Sequence, residues 1–276
     1  MKLKFDDPSY STLTTAPHAI GDIDGDGIPE VVAALKSGGL LVLDNNLEFK
    51  WSTNVPAIPS YGYAGVTLAD LDGDGIVEIL FSDHIINADQ SVRAILPGGS
   101  PMQTPIAVDL NMDGHQEILI GAKAYTDLGL DYWDNANKGS GDAAILNVDS
   151  DIYPEILVAS PGVMKLLDND GTIIWQANLP DLGGGPPLVA DLNGDGLPEI
   201  GVATKNRYFV YNTLGQILWS RSIFDNTSQQ LGSAAFDFDG DGIVEVLVYD
   251  TERLQIFRGS DGKTLFNFAN TSLTTR

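Results

Sequence analysis

Short apolar runs recur along this chain, and each begins directly after a glutamate. They are Val31-Val-Ala-Ala34, Ile79-Leu-Phe81, Ile118-Leu-Ile120, Ile156-Leu-Val-Ala159, Ile200-Gly-Val-Ala203 and Val246-Leu-Val248. Runs this short and this uniformly apolar predict strands buried on both faces. A preceding strand is read from segments such as Pro105-Ile-Ala-Val-Asp109 and Pro187-Leu-Val-Ala-Asp191. A third strand is read from Leu40-Leu-Val-Leu-Asp44, Val163-Met-Lys-Leu-Leu-Asp168, Tyr208-Phe-Val-Tyr-Asn212 and Leu254-Gln-Ile-Phe-Arg258. A fourth carries an aromatic residue: Trp51, Trp175, Trp219 and Phe266, with Trp133 in a similar place in a shortened third repeat and Ala94-Ile-Leu96 in the second.

Helical periodicity is found nowhere. Four short strands per repeat are the pattern of propeller blades, which bury their faces against neighbouring blades. The expected fold is therefore all-β, a β-propeller of four-stranded blades spanning residues 1–276 as one domain. Six blades are favoured. Seven stay open, because Lys2-Leu-Lys-Phe5 falls where a fourth-strand aromatic precedes the next repeat. The aromatic series, Phe266 included, is expected to form the core between blades.

Between the first and second strands lies one acidic motif, repeated six times from residues 22, 70, 109, 147, 191 and 237. Position 1 is Asp22, Asp70, Asp109, Asn147, Asp191 and Asp237; position 3 is Asp24, Asp72, Asn111, Asp149, Asn193 and Asp239. Position 5 is Asp26, Asp74, Asp113, Asp151, Asp195 and Asp241; position 9 is Glu30, Glu78, Glu117, Glu155, Glu199 and Glu245. Oxygens at positions 1, 3 and 5 of a tight loop converge on one point, and a carbonyl and a further carboxylate complete a shell suited to Ca²⁺. Zinc and copper fit poorly, since no nitrogen or sulfur ligand recurs. An EF-hand is excluded, because its position-12 glutamate is replaced by Ala33, Phe81, Ile120, Val158, Val202 and Val248. Simple Asp-Gly hairpin turns are the plainer alternative. Six copies with three alternating acids or amides weigh against it, because crowded carboxylates repel unless a cation joins them.

These repeats resemble the FG-GAP/VCBS repeats of integrin-type β-propellers, over nearly the whole chain. The resemblance implies Ca²⁺ bound through the side chains of positions 1, 3, 5 and 9, with up to six ions. It also implies ligation by the position-7 carbonyls of Ile28, Ile76, His115, Tyr153, Leu197 and Ile243. The third copy departs at Asn111 and Met112; the fourth departs at Asn147 and at Ile152, where glycine is expected, and is predicted to be the weakest site. The Phe-Gly and Gly-Ala-Pro signatures of the integrin repeat are not clearly present. The segments Asp168–Trp175 and Tyr211–Trp219 also resemble the turn-plus-Trp pattern of quinoprotein-type propellers, in which the Trp docks one blade on the next. No adjacent cysteines accompany them, so that likeness is read as structural.

Charge sharpens the picture. The formal net charge is -23, from 38 acids and 15 bases, and 21 of the acids lie in the six loops. Six Ca²⁺ would reduce this to about -11, still a surface that repels nucleic acid and anionic lipid. There is no cysteine, hence no disulfide framework. No apolar stretch approaches a membrane span, and Met1–Asp7 lacks the apolar core of a signal peptide. No catalytic constellation is visible, and the three histidines, His18, His84 and His115, share no spacing with a nucleophile. Asn226-Thr-Ser228 and Asn270-Thr-Ser272 match a glycosylation acceptor.

The expected role is a Ca²⁺-stabilised extracellular or cell-surface module, free or within a larger surface protein, that recognises a glycan or a protein. A polysaccharide-active, lyase-like enzyme and a purely structural scaffold are the alternatives, and fold alone does not choose among them. Alternate strands place the acidic loops at one end of each blade and the variable turns at the other. Recognition is expected on the variable turns, with Tyr61, Tyr63, His84, Tyr125, Arg207 and Arg253 as candidate contacts.

Overall fold

A computed structural model describes residues 7, 9–12, 16–53, 65–98, 103–134, 141–149, 151–180, 183–225 and 231–269. Among them are 24 strands and no helix, arranged as six four-stranded antiparallel sheets in simple up-and-down order. This is the blade architecture of a β-propeller. The chain divides into two compact units, Met1–Asn137 and Lys138–Arg276.

The first unit holds blades 1 to 3. Blade 1 is β1 (Ala19–Gly21), β2 (Glu30–Ala34), β3 (Leu40–Leu43) and β4 (Phe49–Thr53). Blade 2 is β5 (Val66–Ala69), β6 (Glu78–Phe81), β7 (His84–Ile86) and β8 (Val92–Ile95). Blade 3 is β9 (Ile106–Val108), β10 (Glu117–Ile120), β11 (Lys123–Tyr125) and β12 (Asp131–Asp134).

The second unit holds blades 4 to 6. Blade 4 is β13 (Asp142–Leu146), β14 (Glu155–Ser160), β15 (Val163–Leu167) and β16 (Ile173–Asn178). Blade 5 is β17 (Leu188–Ala190), β18 (Glu199–Ala203), β19 (Arg207–Tyr211) and β20 (Ile217–Ser222). Blade 6 is β21 (Ser233–Phe236), β22 (Glu245–Tyr249), β23 (Arg253–Arg258) and β24 (Thr264–Ala269).

Every second strand starts at a position-9 glutamate and is almost wholly buried. The cores form between successive blades. Val32, Leu40 and Val42 of blade 1 pack with Ile79, Phe81 and Ile86 of blade 2, and Trp51 lies against this cluster. Leu80 and Ile85 of blade 2 pack with Ile118, Ile120 and Tyr125 of blade 3. In the second unit Leu157 and Leu166 meet Ile200, Val202 and Tyr211, with Trp175 alongside. Val210 and Trp219 meet Val246, Val248 and Phe257.

The tryptophans dock blades as the quinoprotein-type pattern implies. Trp175 Nε1 donates to Thr213 O at 2.8 Å, and Trp219 Nε1 donates to Gly259 O at 2.6 Å. Each ring lies on a glycine in the next blade's turn. A Cβ on Gly215 would approach Trp175 to 3.2 Å, and one on Gly262 would approach Trp219 to 2.4 Å. Both glycines also have positive φ, so a side chain there is doubly unfavourable.

Three sequence expectations need correction. Phe266 is not core; it is exposed and stacks on Phe268. His84 and Tyr125 are not exposed loop residues. They belong to the three-residue third strands β7 and β11 and are buried. Strands this short carry no readable periodicity, and the turns before them are set by positive φ at Ser82 and Gly121. The expected strand at Lys2–Phe5 lies outside the described residues, as do Tyr61, Tyr63 and both glycosylation-type motifs.

Candidate metal centres

Each acidic loop joins a blade's first strand to its second and is wound around its own side chains. In loop 1, Asp22 Oδ1 accepts the amides of Gly25 and Asp26 at 2.8 and 3.2 Å, and Oδ2 accepts Gly27 N–H at 2.7 Å. Asp26 Oδ1 in turn accepts Ile28 N–H at 2.7 Å. Loops 2, 5 and 6 repeat this pattern through Asp70 and Asp74, Asp191 and Asp195, and Asp237 and Asp241. Loop 3 keeps most of it through Asp109 and Asp113, with Met112 at a positive φ of 58° where loops 1, 2, 5 and 6 have glycine. Loop 4 departs. Asn147 donates weakly from Nδ2 toward the Asp151 and Tyr153 carbonyls, at 3.5 and 3.4 Å. Asp151 still accepts Tyr153 N–H at 2.8 Å.

The position-9 glutamate fastens each loop from beneath. Its Oε2 accepts the position-2 amide, at 3.2 Å in loop 1 and 2.7 to 3.0 Å in the rest. All six glutamates are buried. Burial pushes the Glu78, Glu117, Glu155 and Glu199 carboxyls above the usual range. Such a group is costly as an anion unless a donor or cation faces it.

What faces the other oxygen, Oε1, differs between loops. In loop 1 it is Lys50 Nζ, 2.7 Å from Glu30 Oε1 and 2.6 Å from Asp24 Oδ2. These bonds raise the Lys50 ammonium and hold Asp24 below the usual carboxyl range. In loop 2 it is Arg93, 3.2 Å from Glu78 Oε1 and 2.9 Å from Asp72 Oδ2, with Asp127 of blade 3 at 3.5 Å. Asp127 also lies 3.4 Å from the His115 ring, a contact no sequence pattern announces. Asp72 Oδ1 keeps no partner. A cleft of about 430 Å³, lined by Asp72, Glu78, Asn87, Asp89 and Arg93, opens beside this loop.

In loops 3 and 5 the position-3 amide takes that place. Asn111 Nδ2 donates to Glu117 Oε1 at 3.3 Å, and Asn193 Nδ2 donates to Glu199 Oε1 at 2.7 Å. In loop 4, Glu155 Oε1 is buried with no partner.

Four loops bring three carboxylates within reach of a single ion: Asp22, Asp24 and Glu30; Asp70, Asp72 and Glu78; Asp149, Asp151 and Glu155; Asp237, Asp239 and Asp241. The donor set is all oxygen and anionic, which suits a hard divalent cation. Glu155 Oε1 fits that reading directly, as a buried anionic oxygen lacking a counter-charge.

The FG-GAP-like repeat model matches the chain at residues 22–81 and 191–248. Each match starts at the first aspartate of one loop and ends in the second strand of the next blade. The chain thus carries FG-GAP-like repeats in these two segments. The biofilm matrix protein Bap1 of V. cholerae shares its fold with a TM-score of 0.81 at 18% identity, over 93% of this chain and 70% of that one. BamB from Moraxella catarrhalis aligns with a TM-score of 0.58 at 16% identity, over 93% and 74%. The exotype rhamnogalacturonan lyase YesX aligns at 0.56 and 16%, over 94% and 65%. The comparison with curated proteins gives no match.

The variable turns lie at the opposite end of the blades. Arg207 opens β19, exposed, with its guanidinium on Ser220 Oγ at 2.7 Å and over the Phe209 ring. Arg253 opens β23 and is half exposed, and Tyr249 closes β22 in the open. No helix among the described residues is long and apolar enough to cross a membrane.

Proposed function

We propose that this protein is a Ca²⁺-stabilised binding module that works outside the cell or at its surface and recognises a glycan or a protein. The observation that carries the Ca²⁺ part is the buried position-9 glutamate under every loop, left without a counter-charge at Glu155. Ca²⁺ would be held by the side chains of positions 1, 3, 5 and 9, with the position-7 carbonyls completing the shell. Its chemistry is that of a structural cross-link: it neutralises the carboxylates and ties each loop to the strand that follows. Extracellular Ca²⁺ is abundant enough to fill even weak sites, with Kd about 10⁻⁴–10⁻³ M, which favours that location.

Recognition belongs to the turns at the other end of the blades, where Arg207, Tyr249 and Arg253 are exposed and sequence varies from blade to blade. Arg and Tyr are frequent interface anchors, and Tyr stacks on sugar rings. Tyr61 and Tyr63 stay in this proposal on sequence grounds alone. Bap1's description as a biofilm matrix protein is in keeping with a binding role. The likeness to rhamnogalacturonan lyases supports a second reading, a polysaccharide-active enzyme.

A glycan array probed with and without EDTA tests the module reading, with binding expected in Ca²⁺ and weakened on chelation. Release of unsaturated sugars from pectic polysaccharide would decide for the lyase.

A further inference from the structure

The fourth strand of every blade carries a β-bulge at the same place. The pairing slips between Val42 and Leu43 against β4, between Ile85 and Ile86 against β8, and between Ala124 and Tyr125 against β12. It slips likewise between Leu166 and Leu167, between Val210 and Tyr211, and between Ile256 and Phe257 in blades 4 to 6. The extra residue in each bulge immediately precedes the fourth-strand aromatic or its Ala94 equivalent. Those residues are Lys50, Arg93, Tyr132, Ile174, Leu218 and Leu265. A bulge re-aims its extra side chain out of the normal alternation. In blades 1 and 2 that side chain is a cation, and its head group spans the position-3 and position-9 carboxylates of the same blade's loop. In blades 4, 5 and 6 it is aliphatic and about half exposed.

We propose that the bulge residue sets how far each acidic loop depends on Ca²⁺: Lys50 and Arg93 serve loops 1 and 2 as tethered cations, whereas loop 4 has no counter-charge but a metal. The inference rests on the Ca²⁺ reading above and divides the six loops by demand. A carboxylate pair already bridged by an ammonium or guanidinium must release it before both oxygens can face a metal. Loops 1 and 2 are therefore ordered without Ca²⁺ and bind it weakly. Loop 4 buries the same glutamate, and Glu155 Oε1 finds nothing. Two of the six loops thus hold a covalently attached cation in place of a dissolved one, supplied by one side chain on a strand 15 to 26 residues away.

The test uses the intact protein and three variants: Lys50→Met, Lys50→Arg as the charge-keeping control, and Ile174→Lys, which places a cation on the blade 4 bulge. Ca²⁺ bound per chain is counted by equilibrium dialysis, and melting is followed in EDTA and in Ca²⁺. Lys50→Met should melt about 5–10 °C lower than wild type in EDTA. Ca²⁺ should restore most of that loss, with one more ion bound or loop 1 binding at least roughly tenfold tighter. Lys50→Arg should behave as wild type. Ile174→Lys should melt higher in EDTA and bind about one ion fewer, an outcome that stands even if Lys50→Met fails to fold in EDTA. A wild type that binds Ca²⁺, with variants that bind the same number at the same affinity, overturns this inference alone. A wild type that binds none overturns this inference and the module reading together.

Discussion

Loops 1 and 4 join the same two strands of their blades, bury the same glutamate and fasten it to the same backbone amide, yet they satisfy it differently. Glu30 meets the ammonium of Lys50 at 2.7 Å, whereas Glu155 Oε1 meets no partner. The loops themselves do not explain this. Asp24, Asp26 and Glu30 have direct counterparts in Asp149, Asp151 and Glu155. The difference lies in the bulged fourth strand, where blade 1 has Lys50 and blade 4 has Ile174. A buried carboxylate demands a counter-charge, and a propeller blade can supply it from its own outer strand or take it from solution. Loops 3 and 5 show an intermediate answer, in which an Asn at position 3 lends an amide in place of a charge.

Four substitutions would break or sharpen this comparison. The largest loss should come from one that touches neither loop. Trp219→Ala removes a buried ring and its bond to Gly259 O, and should cost about 3–5 kcal/mol. Denaturant unfolding should give the same loss in Ca²⁺ and in EDTA. A loss that depends on Ca²⁺ would mean that the loops and the blade cores are not separable.

Next come Glu30→Gln and Glu155→Gln, which should have opposite signs in EDTA. Glu30→Gln leaves Lys50 short of one partner and should destabilise by about 1–3 kcal/mol, at the lower end because Lys50 is partly exposed. Glu155→Gln removes an unpaired buried anion and should be neutral or stabilising by a similar amount. Added Ca²⁺ should reverse the second result, since the substituted loop gives up a ligand. Equal effects of the two substitutions in EDTA would erase the distinction between the loops.

The smallest effect on folding should come from the opposite blade end. Arg207→Ala should change stability by less than about 0.5 kcal/mol while weakening glycan or protein binding. Binding that survives unchanged would move the recognition surface elsewhere.

Much of this architecture was legible in the residues. The position-9 glutamate followed by an apolar run marks the start of each second strand, because burial on both faces leaves no polar alternation to blur it. The tryptophans announce the docking of one blade on the next, as Trp175 and Trp219 do. Third strands were readable where they run four residues or more. They were missed at His84–Ile86 and Lys123–Tyr125, where three residues cannot display a period, and His84 and Tyr125 were therefore placed on loops. Phe266 shares the spacing of the docking aromatics, but spacing carries no statement about what covers a ring. At the site, the motif names the acidic side chains and is silent on their counter-charges. Lys50 lies 26 residues from Asp24, and only the bulge on β4 explains how they meet. A cation directly before the fourth-strand aromatic is the signal that sequence alone could have offered.

If the acidic loops, each closed over a buried glutamate, are structural Ca²⁺ sites, thermal unfolding of the wild-type protein in EDTA and in saturating Ca²⁺ shows it most directly. Each filled site stabilises by about 2.7 kcal/mol at roughly a hundredfold excess over Kd. Three or more sites should therefore raise Tm by well over about 10 °C, with at least three ions bound per chain. An unchanged Tm, with well under three ions bound per chain at saturation, would contradict the account.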